Sequence, residues 1–284
     1  MRCNLCGSSS QVKLYNGREN KSYTYYNNGN YGLIVKCAKC GLVYSPNLDK
    51  DLEKKYQEVT DQDYLKSKEA RLETFKRDLL EIEKIKKIGK ILDVGCGPGL
   101  FLDVARSRGW KGEGVELSRW ACECCKKLKL RVINKSLEKA GFKPHFFDVI
   151  TLWDVIEHVD NPTKLLKQIN KLLNKEGILV LNTPNIGSLF AKIMGKKWWN
   201  LMSMHIFYFD RNTITNILEK NGFKVIKIKS YSRVVILKYA IRWLKNHRVL
   251  FKICDILFNK SPLGKVRVNV NFFDNMVVYA KKAN

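Results

Sequence analysis

Two groups of residues in this 284-residue chain have the types and spacing to do chemistry. Cys3 and Cys6 form one CxxC pair, Cys37 and Cys40 form another, and each pair is followed at once by a glycine, Gly7 or Gly41. Glycine permits the tight turn that aims backbone N–H groups at thiolate sulfur. Four thiolates in two such knuckles suit a tetrahedral Zn2+. They leave no open position, so the expected zinc is structural and stabilises a segment too short to bury much core. A redox pair would need no second matching pair. Cys96, Cys122, Cys124, Cys125 and Cys254 lack this spacing and read as small packing residues.

The second group is the string ILDVGCGPG at residues 91–99, an apolar run that passes straight into Gly95, Gly97 and Gly99. Without a Cβ, glycine lets a ligand lie directly against the backbone. The next apolar run ends at Glu116, about 20 residues on, where a carboxylate can accept hydrogen bonds from two ribose hydroxyls. The spacing is GxGxG and not the GxGxxG of dinucleotide sites, which argues against a pyrophosphate ligand. Of the four histidines, His158 falls in DVIEHV and His205 in SMHIFYF, and an imidazole accepts protons near neutral pH. His145 and His247 have polar or basic neighbours and are expected on the surface. Trp198, Trp199, Phe207, Tyr208 and Phe209 crowd the segment around His205, an aromatic density suited to a sugar or ring-bearing acceptor.

Alternating elements would position these groups. Residues 1–48 are rich in Gly, Asn, Ser, Tyr and Cys, with short β-type runs at 32–36 and 42–44, and read as a small zinc-ribbon-like module. Residues 49–88 are charged and helix-prone, with Leu72, Phe75, Leu79, Ile82 and Ile85 at spacings of three and four, and read as a helical linker. From residue 89, strands are expected at 91–94, 112–115, 132–133, 149–152, 178–181, 224–229 and 275–280. The helices between them are expected at 100–108, 119–128, 162–173 and 211–221. This alternation implies an α/β fold of βαβ units, a parallel sheet with helices on both faces. Loss of the metal is expected to loosen residues 1–48 while the large domain, with its own core, stays folded.

LDVGCGPG resembles motif I of the class I S-adenosylmethionine-dependent methyltransferases. Glu116 in GVELS matches that family's ribose-binding acid. FDVITLWDVIEHV at 147–159 matches its fourth-strand motif, and LLNKEGILVLNTPN the segment around its fifth strand, so the likeness covers roughly residues 89–230. The resemblance implies a Rossmann-like, seven-stranded, doubly wound sheet over residues 89–284, with an insertion at about 231–271. It also implies that Asp93, Gly95, Gly97 and Gly99 hold the amino-acid end of S-adenosylmethionine and Glu116 its ribose. Ser136 and Leu137 would lie near the adenine, and Trp153 and Asp154 at the mouth beside the methyl group. CAKCGLVY resembles the zinc segment ahead of methyltransferase domains encoded with polysaccharide and sugar-modifying enzymes. SMHIFYF is similar to the EHxxYF string of sugar methyltransferases, with Met204 in place of the acid that could orient the imidazole. This makes His205 the expected acceptor-side base, with His158 and Asp154 as the other catalytic candidates.

The formal net charge is +25, but Lys greatly outnumbers Arg and the positive residues are spread along the whole chain, unlike a phosphate-binding patch. The leading expectation is O-methylation of a sugar, saccharide or lipid-linked metabolite. An RNA methyltransferase gripping nucleic acid with the zinc module and basic surface ranks second, because the zinc region lacks interleaved aromatic and Arg residues for base stacking. A zinc-ribbon scaffold without enzyme activity would leave the cofactor motif idle. Nine cysteines and no apolar signal segment lead one to expect a reducing, cytoplasmic compartment. In residues 234–258, apolar runs are punctuated by Lys238, Arg242, Lys245, Arg248 and Lys252. The favoured reading is a lid helix packed on the protein or on a twin subunit in a homodimer. The other is peripheral contact with the inner membrane surface.

Overall fold

The structure, a computed structural model, describes residues 1–18, 30–47, 51–237, 261 and 266–283. It opens with strands β1 (Gln11–Tyr15), β2 (Ile34–Cys37) and β3 (Val43–Tyr44), followed by helices α1 (Leu52–Glu58), α2 (Gln62–Lys66) and α3 (Lys68–Glu83). An alternating stretch follows: β4 (Lys90–Val94), α4 (Leu100–Ser107), β5 (Lys111–Val115), α5 (Arg119–Lys127), β6 (Arg131–Ile133), β7 (Phe147–Trp153), α6 (Pro162–Leu172) and β8 (Leu173–Pro184). The chain continues through α7 (Leu189–Met194), β9 (Phe207–Tyr208), α8 (Arg211–Lys220), β10 (Phe223–Ser230), β11 (Arg233–Ile236), β12 (Arg267–Val270) and β13 (Asn275–Lys282). Local chemistry sets the helix starts. Ser118 Oγ accepts the Ala121 N–H ahead of α5, Asn161 caps α6 with Pro162 in its first turn, and Asp210 and Thr213 form a capping box on α8.

Seven strands form the main sheet in the order β10-β13-β8-β7-β4-β5-β6. β4 pairs in parallel with β5 and β7, as β7 does with β8, and their apolar residues are buried on both faces. The sheet is mixed, which corrects the expectation of an all-parallel one: β13 runs antiparallel to both β8 and β10. The reason lies in the connection. β11 and β12 pair antiparallel, and residues 271–274 turn β12 into β13, whereas a parallel return would need a crossover. Of the expected insertion at about 231–271, residues 231–237, 261 and 266–271 lie within the described residues, and of its basic apolar stretch 234–258 only 234–237.

Two expected appendages are part of the main body. α3 buries Phe75, Leu79 and Ile82 in one cluster with Ile91, Phe101, Val149 and Val180, so the expected linker is a packed layer of the domain. Ile85 falls off that stripe and is 37% exposed, because α3 has already ended. The N-terminal strands form a sheet of order β1-β2-β3-β9, in which Val43 pairs with Tyr208 and Tyr44 with Phe207. Cys3, Leu5, Val35, Leu42 and Tyr44 share a core with Leu92, Leu152, Leu179 and Phe207. Residues 1–48 therefore share a core and a strand pairing with the large domain, which bears against their loosening alone on loss of the metal.

Candidate active site

A cavity of about 900 Å3 opens where β4, β5, β7 and β8 end, at the point where chain order departs from β4 in both directions across the sheet. β4 delivers Asp93 and then the glycine loop. Gly95 and Gly97 hold φ of 68° and 51°, in the region that favours glycine. A Cβ at Gly95 would come within 2.8 Å of Val155, while one at Gly97 would meet nothing within 4 Å and would project into open space. Gly99 departs from its expected role. It does not line the cavity, and a Cβ there would press on Leu130 at 2.5 Å and Cys125 at 2.9 Å, so it serves the packing of α4 against α5 and the segment after it.

Glu116 follows β5, and its carboxylate accepts the Gly97 N–H and the Ser118 N–H, each at 2.8 Å. It therefore braces the glycine loop while its remaining lone pairs face the cavity. Burial pushes its pKa up against those backbone donors. Asp93 is 1% exposed and accepts from Thr151 Oγ1 at 2.7 Å. Burial, helped by the Glu116 carboxylate, pushes it up to about 8. Ser136 and Leu137 line the same cavity, as do Trp153 and Asp154 at the end of β7. Trp153 is wall and core at once, with ring centroids 5.1 Å from Phe101 and 5.8 Å from Phe75, and a stacked Tyr231 at 6.3 Å.

The three catalytic candidates fare differently. Asp154 holds Arg233 Nη2 at 2.7 and 2.9 Å, so its carboxylate is committed to an ion pair; this corrects its reading as a free base. His158 and His205 meet edge to face, centroids 4.6 Å apart. His158 Nδ1 lies 3.0 Å from the Met204 carbonyl and 2.9 Å from Tyr56 Oη, and His205 Nδ1 lies 2.8 Å from the Asn200 carbonyl. A carbonyl can only accept, so each Nδ1 carries the proton and each Nε2 presents a lone pair. Burial lowers the pKa of both imidazoles, that of His205 well below the usual value. The orienting group that Met204 removed from the sequence motif is supplied by backbone carbonyls. Glu157, beside His158, is 1% exposed, and neither carboxylate oxygen has a hydrogen-bond partner among the described residues. Burial and the Asp154 carboxylate push it up to about 8. His145 is exposed, as expected, and His247 lies outside the described residues.

The sequence reading missed several lining residues. Tyr56, Tyr64 and Arg71 come from the helices read as a linker, and Arg233 carries no motif; Asn182 lies within LLNKEGILVLNTPN and Glu157 beside His158 in DVIEHV, but neither motif match singles them out. The cysteines behave as a group. Cys3 and Cys40 sulfurs are 3.5 Å apart, as are those of Cys6 and Cys37, and all four lie within 4.8 Å of one another. Zn–S bonds of about 2.3 Å in a tetrahedron need sulfurs about 3.8 Å apart, so the set fits Zn2+. Gly7 N–H and Gly41 N–H return to the Cys3 and Cys37 carbonyls at 2.8 and 3.0 Å, with φ of 73° and 79°, the turns those glycines were expected to permit.

Residues 64–228 match the family described as a methyltransferase domain, and the chain belongs to this family of methyltransferases. Among curated relatives, the ubiquinone biosynthesis O-methyltransferase of Pelagibacter ubique is 28% identical over 151 residues, covering 49% of this chain and 63% of that protein. The mitochondrial ubiquinone biosynthesis O-methyltransferase of Schizosaccharomyces pombe is 34% identical over 114 residues, 37% of this chain and 41% of that protein. The chain thus spans between about two fifths and two thirds of the length of these relatives. The fold is that of a SAM-dependent methyltransferase from Archaeoglobus fulgidus, with a TM-score of 0.54 at 21% identity, covering 78% of this chain and 100% of that one. A Pyrococcus horikoshii protein, PH0226, gives a TM-score of 0.52 at 16% identity, over 80% of this chain and 94% of that one. No helix among the described residues is long and apolar enough to cross a membrane.

Proposed function

We propose that this chain transfers the methyl group of S-adenosylmethionine to a hydroxyl of a small acceptor, a sugar, a saccharide or a lipid-linked metabolite. One observation carries the choice of a hydroxyl: the group of Glu157, His158 and His205, with Glu157 and His205 buried and His158 half-buried, which lines the cavity after β7, across β4 from the Glu116 end. The two relatives described above, both ubiquinone biosynthesis O-methyltransferases, support the same choice. The cofactor supplies a methyl group already activated on a sulfonium. Glu116 offers lone pairs to ribose hydroxyls, Gly97 leaves room for the ligand against its backbone, and Asp93 offers a carboxylate to a cationic ammonium. Trp153 and the α1–α3 residues Tyr56, Tyr64 and Phe75 wall the cavity from water, and such positioning alone supplies about 7–11 kcal/mol. A hydroxyl must also have its O–H bond weakened, and the two Nε2 atoms and the Glu157 carboxylate are the groups placed to do so.

The cysteine cluster holds a structural Zn2+ in this reading, supported by the sulfur spacing. A cytoplasmic location, argued from the cysteine content, also belongs to it, as does the reading of 234–258 as a lid packed on the protein or a twin subunit, with a membrane surface as the other contact, argued from the sequence pattern of that segment. Labelled cofactor incubated with fractionated extract tests the whole. Label in the saccharide or lipid pool is the expected outcome, and label mainly in RNA would overturn the choice of acceptor.

A further inference from the structure

We propose that Glu157, His158 and His205 form a second metal site, one that binds a divalent ion such as Zn2+ or Mn2+ at the acceptor end of the cavity and leaves it a coordination position open to the substrate. This rests on the hydroxyl-methylation reading and deepens it. The three side chains each bring one ligand atom, and these atoms lie within 4.8 Å of one another. The strongest argument is the state of the imidazoles. A metal-binding histidine characteristically gives its other ring N–H to a carbonyl or carboxylate, which fixes the tautomer and aims the free nitrogen. Here both do so, His158 to the Met204 carbonyl at 3.0 Å and His205 to the Asn200 carbonyl at 2.8 Å. Both carbonyls belong to the segment 200–204, and that segment is anchored on either side. Asn200 Nδ2 donates to Asp274, and the Ile206 and Phe207 N–H groups donate to the Glu157 carbonyl.

The third ligand explains an otherwise unexplained residue. Glu157 is 1% exposed, and among the described residues the Thr183 hydroxyl lies against its carboxylate without a hydrogen bond of good geometry. Buried carboxylates are paired or coordinate metals, because leaving one bare is costly. Arg233, whose charge is felt at Glu157, is bonded to Asp154, so no hydrogen bond from it satisfies Glu157 and the Asp154 carboxylate offsets its charge. Two imidazoles and one carboxylate suit a borderline first-row ion. They differ in kind from the cysteine cluster, whose four thiolates close the coordination sphere, whereas three ligands leave room for an acceptor oxygen. An ion there lowers the pKa of that oxygen. The hydroxyl proton then passes to solvent, a bond forms from oxygen to the methyl carbon, and the carbon–sulfur bond breaks with its electron pair going to sulfur, the ion itself unchanged.

Mn2+ is the probe of choice, because it prefers oxygen and nitrogen ligands and competes poorly for the thiolates. Electron paramagnetic resonance titration of the full chain, with its cysteine cluster zinc-loaded, should show one Mn2+ bound per chain. Glu157→Gln and His205→Asn should each weaken binding at least tenfold, with S-adenosylhomocysteine affinity unchanged as the check that the variants fold. No stoichiometric binding by the unmodified protein, or equal binding by a folded Glu157→Gln variant, would overturn the site. Methyl transfer that survives a chelator while zinc remains on the cysteines, yet is lost in His205→Asn, would overturn it as well and leave the three groups a metal-free base. Mn2+ binding without label in any hydroxyl-bearing acceptor would instead sink the O-methylation reading and leave the metal site standing.

Discussion

Gly97 and Glu116 are bound to each other as well as to the proposed ligand, since the Gly97 N–H is held by the Glu116 carboxylate at 2.8 Å. Glu116→Ala should therefore remove the ribose acceptor and also free the loop, weakening S-adenosylhomocysteine by about 1–3 kcal/mol, roughly 5–150-fold, in calorimetry. Gly97→Val should weaken it at least as much, because the new side chain enters open cavity space from a backbone at φ 51°. Asp93 sets a pH dependence. Its pKa stands at about 8 against an ordinary 3.8, so in the free protein the neutral carboxyl contributes stability that is full below about pH 4 and is lost as pH rises through about 8. A cationic ligand favours the carboxylate instead. Cofactor binding should thus release close to one proton at pH 7, and affinity should rise towards pH 8. Titrations in two buffers of different ionisation enthalpy measure that proton, and Asp93→Asn should abolish it. A proton count of zero in the unmodified protein would remove Asp93 from the cationic end of the site.

The pairing of β3 with β9 ties the cysteine cluster to the acceptor side, because β9 begins two residues after His205 and Ser45 N–H donates to the Ile206 carbonyl at 2.8 Å. On the zinc reading, Cys40→Ser should lower methyl transfer by an order of magnitude or more while S-adenosylhomocysteine affinity changes less than about twofold, since the module pairs with β9 and not with the glycine loop that continues β4. Equal loss of both would mean that the module supports the fold as a whole and not the acceptor segment in particular. This pairing also marks where legibility in the sequence ended. The strands and helices from residue 89 were readable because apolar periodicity and glycine punctuation are local; Gly95, Gly97 and Glu116 stood out by type and spacing, Asp93, Ser136, Leu137 and Trp153 through the family resemblance, and all seven line the cavity. Contacts made across distance were not: β3 with β9, Asp154 with Arg233, and Tyr56 with His158 leave no periodic trace in either partner. The direction of β13 was hidden for the same reason, as a short strand with a five-residue apolar run, Met276–Ala280, does not state which way it will enter a sheet.

A single apolar core runs from the cysteine knuckles through the main sheet, taking in Cys3, Tyr44, Leu92, Leu179 and Phe207. The metal-loaded chain should therefore unfold in one cooperative thermal transition with near-coincident far-ultraviolet and tyrosine signals. An early separate transition assigned to residues 1–48 would show that the shared core contributes little. The same long-range closure has a consequence in time. Tyr31 gives its hydroxyl hydrogen bond to the Lys196 carbonyl, 165 residues further on, and at about 5–20 residues per second a ribosome needs roughly 10–30 s to make the intervening chain. Through that interval β3 has no β9 to pair with and stands as an open edge, the kind of surface that recruits other strands. Zinc captured early by Cys3, Cys6, Cys37 and Cys40 would keep β2 and β3 in register while they wait. A growing chain starved of the ion would meet its neighbours on the polysome with that edge unguarded.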